Sequence, residues 1–144
     1  MHPHIRAFVE GTSALFEEDG VAPIAGLVFA RLLLSPEPMA LADLAAELGV
    51  SKASVSMDTR KLEESGILER VVRAGDRRVF YRVAPDFTER LIERRLTRMR
   101  RFRRLLQSAV RSPGDAAVRR RLRACDAAYG RMVRVLAAEA AGQH

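Results

Sequence analysis

Between Leu41 and Val83 the apolar pattern changes period, and this change constrains the fold more than any other feature of the chain. Leu41, Leu44, Ala45 and Leu48 recur at helical spacing, and Gly49 follows as a C-terminal stop. Ser51 is placed to N-cap a second helix in which Val55, Thr59 and Leu62 share one face, while Lys52, Ala53, Ser56, Met57 and Arg60 lie on the others. Ser65-Gly66 ends that helix. The β-branched run from Ile67 to Arg73 reads as a strand, Gly75-Asp76 supplies a turn, Arg77 to Val83 returns as a second strand, and Pro85 closes the module. Helix, glycine turn, helix and hairpin, in that order, predict a winged helix-turn-helix, a module that reads duplex DNA.

The flanks are helical. From His4 to Glu18 the positions Ile5, Phe8, Val9, Leu15 and Phe16 form one stripe, with Gly11 weakening the middle. Val21 or Ala22 to Leu34 is apolar nearly all round, with Pro23 in the first turn, and predicts the central buried helix. Ser35-Pro36-Glu37-Pro38 stops it, and Pro38 to Ala40 reads as a short extended piece. After the module, Asp86 to Arg111 predicts a long helix with Leu91, Ile92, Leu96, Met99, Phe102 and Leu106 spaced by threes and fours. Ser112-Pro113-Gly114 breaks it and Asp115 caps a last helix carrying Val118, Leu122, Cys125, Tyr129, Met132 and Leu136, with a frayed Ala-rich tail from Ala137 to His144. The expected class is mainly α with a small β-hairpin wing (α+β). The expected layout is a single domain over residues 1–144, with residues 21–85 the winged helix-turn-helix and residues 1–20 and 86–144 a helical dimerisation part.

At 144 residues the chain suits one domain, and its net charge of +7 favours an anionic partner, nucleic acid first. The charge is uneven. Residues 1–50 set two arginines against seven carboxylates, residues 51–85 set eight cations against five, and residues 86–144 set fifteen arginines against six, so most of the excess lies outside the reading module. No apolar run approaches the ~20 residues that span a bilayer, and the start lacks the pattern of a secretory signal. A cytoplasmic protein is expected, with no membrane association. The single Cys125 excludes an internal disulfide.

Ser51, Lys52, Ala53, Ser54, Ser56, Met57 and Arg60 are the candidate contacts of a helix lying in the major groove, where hydroxyls reach phosphates or bases, arginine reads guanine and methionine touches a thymine methyl. Arg73, Arg77 and Arg78 are candidates for phosphate or minor-groove contact from the wing, in competition with pairing to Asp76 or Glu69. The arginines of the long helix could extend the DNA footprint, but they read better as a solvated face and as partners for the acidic first helix with its Glu17, Glu18 and Asp19, and they also raise non-specific affinity for DNA. Cys125 fits a small apolar filler better than a redox switch. His2, His4 and His144 lie near the ends, without cysteines or carboxylates spaced to complete a metal site. No nucleophile elbow, phosphate-cradling glycine loop or metal-binding helix motif occurs, so neither enzyme activity, cofactor nor metal is expected.

The Leu41 to Gly49 helix, the run Ser51-Lys52-Ala53-Ser54-Val55-Ser56-Met57, the junction Leu62-Glu63-Glu64-Ser65-Gly66-Ile67-Leu68 and the wing Gly75-Asp76-Arg77-Arg78 before Tyr81-Arg82 together resemble the MarR superfamily of transcriptional regulators, more closely its GbsR-like branch. The resemblance implies a homodimer held by the N- and C-terminal helices on a roughly palindromic operator, with one recognition helix per half-site. The unmatched apolar stripes nominate Phe8, Phe16, Leu96, Met99, Phe102, Leu106, Leu122, Tyr129, Met132 and Leu136 for that dimer. It further implies a small-molecule effector. With no tryptophan and two distant tyrosines, no aromatic cage identifies one. The expected function is a sequence-specific repressor; the alternative is a winged-helix protein-interaction module with only non-specific DNA binding.

Overall fold

The computed structural model describes residues 1–142, so His144 and Gln143 lie outside the described residues. The elements are α1 (Pro3–Glu18), α2 (Pro23–Leu33), β1 (Met39–Ala40), α3 (Leu41–Leu48), α4 (Lys52–Glu64), β2 (Leu68–Val71), β3 (Phe80–Val83), α5 (Phe87–Val110) and α6 (Ala116–Gly142). They form two compact units, Met1–Phe87 and the helical hairpin from Thr88 onward.

In the first unit α2 is the centre, as its all-round apolar sequence requires. Ala25, Val28 and Leu32 meet Leu44 and Ala45 of α3, Val55 and Leu62 of α4, and Leu68 and Tyr81 of the sheet. α1 packs along α2 at close range, because Gly26 has no side chain to hold it off: a Cβ there would lie 2.7 Å from the Ser13 Cα. The Ser13 hydroxyl donates to the Pro23 carbonyl at 2.8 Å, satisfying a buried group at the same crossing. Proline at the first turn of α2 costs nothing there, since that N–H has no helical partner.

The sheet is antiparallel, in the order β1-β3-β2, with Met39 opposite Tyr81, Ala40 opposite Phe80 and Leu68 opposite Val83. The extended piece before α3 is therefore the third strand of the wing. The hairpin strands are shorter than the β-branched runs predict: residues 72–79 leave the ladder because Gly75 takes a φ of 77° and the Asp76 carboxylate accepts from the Arg78 N–H at 2.9 Å, which gives the tip its own turn geometry. Gly49, at φ 65°, ends α3 in the left-handed region.

In the second unit α5 and α6 pack antiparallel through Leu96, Met99 and Val133, with Ile92, Tyr129, Leu136, Ala137 and Ala140 against them. Phe102 meets Tyr129 edge to face, ring centroids 4.9 Å apart. Asp115 accepts from the Ala117 N–H at 2.6 Å and starts α6. Over Ala137 to Gly142 the predicted fraying does not occur: Ala137 and Ala140 lie in the seam, and packing holds the helix as far as Gly142, the rest of the expected tail lying outside the described residues.

Candidate nucleic-acid interface

α4 is an amphipathic helix started by its own serines. The Ser51 hydroxyl accepts from the Ser54 N–H at 3.2 Å and donates to the Ser54 hydroxyl at 2.8 Å. Val55, Asp58, Thr59 and Leu62 are buried, which anchors the helix by one face. Lys52, Ala53, Met57 and Arg60 are exposed on the rest, with Ser54 and Ser56 half-buried at the border. Lys52 and Arg60 have no ion pair or hydrogen bond among the described residues. They are free for an external anion. Thr59, although fully buried, leaves its hydroxyl without a partner among the described residues. Asp58, also buried, has Lys61 at 3.8 Å for its carboxylate. Helical period places Thr59 on the packed face with Val55 and Leu62, whereas the burial of Asp58 was not legible in the sequence.

The wing separates its three arginines. Arg78 pairs with Asp76 at 2.9 Å and with Asp43 of α3 at 3.6 Å, which ties the tip to the helix-turn-helix. Its hydrogen bonds hold the Asp76 carboxyl below the ordinary carboxylate value, while Asp76 in turn raises Arg78. Arg73 lies over the Phe80 ring at 4.3 Å and Arg78 at 5.1 Å, and Arg73 also reaches the Pro38 carbonyl at 3.4 Å. Phe80 is thus a platform for two of the three candidate arginines, a role its apolar character concealed in the sequence. Arg77 is exposed and unpaired among the described residues. Lower on the sheet, Arg70 pairs with Glu63 and Arg82 with Glu69.

The nominated apolar residues divide. Phe16 stacks on Phe29 within the first unit, and Leu96, Met99 and Leu106 are buried within the hairpin, with Leu122, Tyr129 and Leu136 half-buried. Phe8 (42% exposed), Phe102 (39%) and Met132 (44%) keep open surface. Cys125 is half-buried. Among the described residues no cluster of histidine, cysteine and carboxylates has the makings of a metal site, and no helix is long and apolar enough to cross a membrane.

Electrostatically the units differ in sign. Residues 1–87 hold ten lysines and arginines against thirteen carboxylates, a net −3, and residues 88–144 hold fifteen arginines against five carboxylates, a net +10.

Residues 19–79 match the model of the MarR family. The HTH-type transcriptional regulator MmpR5 of Mycobacterium tuberculosis is 32% identical over 119 residues, which cover 82% of this chain and 72% of that protein. A crystal structure of a transcriptional regulator, 30% identical, superposes with a TM-score of 0.80 over 98% of both chains.

Proposed function

Since this chain belongs to the MarR family of winged-helix transcriptional regulators, DNA-binding proteins without enzymatic activity, we propose that it is a homodimeric repressor that reads a two-fold symmetric operator with α4 and the wing. The observation that carries this is the solvent face of α4, where Lys52, Ala53, Met57 and Arg60 stand exposed on a helix whose opposite face is locked into the core. Small side chains let the helix approach a base edge, Arg60 has the fork that guanine accepts, and Lys52 sits at the helix N-terminus where a phosphate binds. Arg77 supplies the wing contact, with Arg73 and Arg78 braced on Phe80 beside it.

The second copy is held by the apolar surface that the chain leaves open. Phe8 on α1 and Phe102 and Met132 on the hairpin supply it, with Leu96, Met99, Leu106, Leu122, Tyr129 and Leu136 bracing the hairpin from within. Two reading heads on one duplex then require an operator with matching symmetry. Repression follows from occupancy of a promoter in the cytoplasm, relieved by a small-molecule effector of unassigned chemistry. Placement in the GbsR-like branch rests on the ordered motifs between Leu41 and Arg82.

Selection of bound sequences from a random duplex pool at physiological salt tests the reading. A two-fold symmetric motif is the expected result, and enrichment of nothing overturns it. On that motif, Arg60→Ala is expected to lower the operator-to-random ratio by about tenfold, the weight of one lost base contact. Arg77→Ala is expected to weaken operator and random DNA alike and to reduce the salt slope by about 1. Light scattering at micromolar protein gives twice the 16.0 kDa chain mass if the dimer is right.

A further inference from the structure

The strongest charge on this protein lies far along the chain from its reading elements. Residues 100–123, which form the closed end of the α5–α6 hairpin, hold nine arginines against a single carboxylate, Asp115. That segment alone exceeds the net +7 of the whole chain. Asp115 is occupied at the start of α6. Arg103 is held by Asp126 at 2.8 Å and Arg119 by the Gly114 carbonyl at 2.7 Å. The other seven are exposed, and among the described residues their side chains have neither ion pair nor hydrogen bond.

An ordinary solvated helix face mixes signs, because like charges one turn apart destabilise a helix by a few tenths of a kcal/mol each. Arg100 and Arg104 stand one turn apart on α5, and Arg119, Arg120 and Arg121 are consecutive on α6, with no acidic side chain between residues 116 and 125 to offset them. The first unit shows the contrary habit, pairing Arg31, Arg70, Arg78 and Arg82 with carboxylates. A stretch left at such a density of unpaired guanidinium groups is suited to an external polyanion.

We propose that the closed end of the α5–α6 hairpin is a second DNA-binding surface, one that grips the phosphate backbone of duplex DNA without regard to sequence. The inference rests on the reading of the protein as a DNA-binding regulator. It follows from a disproportion within that reading: residues 51–85, which carry the base-reading groups, have a net charge of only +3, against +8 for residues 100–123, and the partner is a duplex bearing one charge per ~1.7 Å. The attraction to phosphate that Lys52 and Arg77 supply beside the reading helix is thus augmented by the hairpin. Guanidinium suits the task, since each presents a planar fork to two phosphate oxygens and keeps its charge at any physiological pH. The duplex gripped is either the flank of the occupied operator or a second segment.

The test uses the full chain with Arg100, Arg104, Arg120 and Arg121 all changed to Gln, a set that removes no internal contact, and a matching set changed to Lys. Binding of a random 30-base-pair duplex is measured across a salt series. The Gln set is expected to weaken it by ten- to a hundredfold at 0.1 M salt and to lower the slope of log affinity against log salt by about 2 to 3.5, at roughly 0.9 per phosphate lost, while the Lys set stays within about threefold of wild type. Lengthening the flanks of an operator duplex raises affinity in the wild type but not in the Gln set if the grip is on the flank; capture of a second labelled duplex by operator-bound protein reports the other source. An unchanged slope in the Gln set overturns the proposal, as does a Lys set that fails like the Gln set. Loss of binding to phosphatidylglycerol vesicles with duplex binding intact also overturns it, in favour of a membrane surface. The outcomes separate from those of the repressor reading. A pool that yields no symmetric motif, with the slope change present, sinks the operator and leaves the grip; a symmetric motif bound with an unchanged slope does the reverse.

Discussion

In the first unit Arg31 reaches Glu47 at 2.6 Å, Arg70 reaches Glu63 and Arg78 spans Asp76 and Asp43; in the hairpin unit Arg103 reaches Asp126, while seven arginines at the closed end reach nothing among the described residues. The same residue type does two jobs. Among packed helices and a sheet it pins exposed elements to one another, so the shape of the reading surface is held and part of its charge is cancelled, while Lys52, Arg60 and Arg77 stay unpaired among the described residues. On a hairpin with a single apolar seam it is left free, and the charge becomes the property that matters. Ion-paired shape and surplus charge thereby fall mostly to different parts of one short chain.

If the first unit stands by its core rather than by its pins, truncating the core has the largest effect. Leu44 is fully buried between α2 and α4, and Leu44→Ala is expected to cost about 2 to 5 kcal/mol, read by urea denaturation with hydrogen exchange to localise the loss to residues 1–87. Next is Gly26→Ala. Alanine is the better helix former, yet its Cβ would meet the Ser13 backbone at 2.7 Å and force α1 off α2, so a loss of about 1 to 3 kcal/mol is expected in the same assay. A neutral or stabilising result would show that α1 is not held by this crossing.

The hairpin's pin is tested by pH. Arg103 and, less strongly, Gln107 hold the Asp126 carboxyl below its ordinary value of 3.8, so the stability it contributes is complete above that value and is lost as pH falls through the lowered folded-state value. Urea midpoints taken from pH 5 to pH 2 should fall in that acid window for the wild type. Asp126→Asn should start lower at pH 5 and lose less on the way down; identical profiles would mean the pair contributes nothing. The smallest effect belongs to Arg31→Ala. Its ion pair with Glu47 is partly exposed and should cost at most about 1 kcal/mol. A cost matching that of Leu44→Ala would break the comparison, because the pins would then carry the first unit.

Much of this architecture was legible in the residues. Gly49, Ser51, Gly75-Asp76 and Asp115 act through their own backbone and near neighbours, so the turns and caps they mark appear at those places. The packed face of α4 was equally legible in Val55, Thr59 and Leu62, since helical period alone sorts them from Lys52 and Arg60. The ends of the wing strands were less so. β propensity continues through Val72 and Val79, but the Asp76 turn takes those residues out of the ladder. In the candidate site, Phe80 read only as an apolar strand residue, and its use as a platform for Arg73 and Arg78 depends on which rings lie under which guanidinium groups.

Taken alone, the sequence determined the order and kind of the elements, the amphipathic sides of the helices and the uneven charge, because these follow from local propensity, period and composition. The tertiary structure decided which charges remain available. Pairing of Arg78 with Asp43 joins residues 35 positions apart, and the approach of α1 to Gly26 needs two helices in contact, so neither is written in any local pattern. The division into a reading unit with several ion pairs and a hairpin whose arginines are mostly unpaired emerges only when distant carboxylates have found, or failed to find, their arginines.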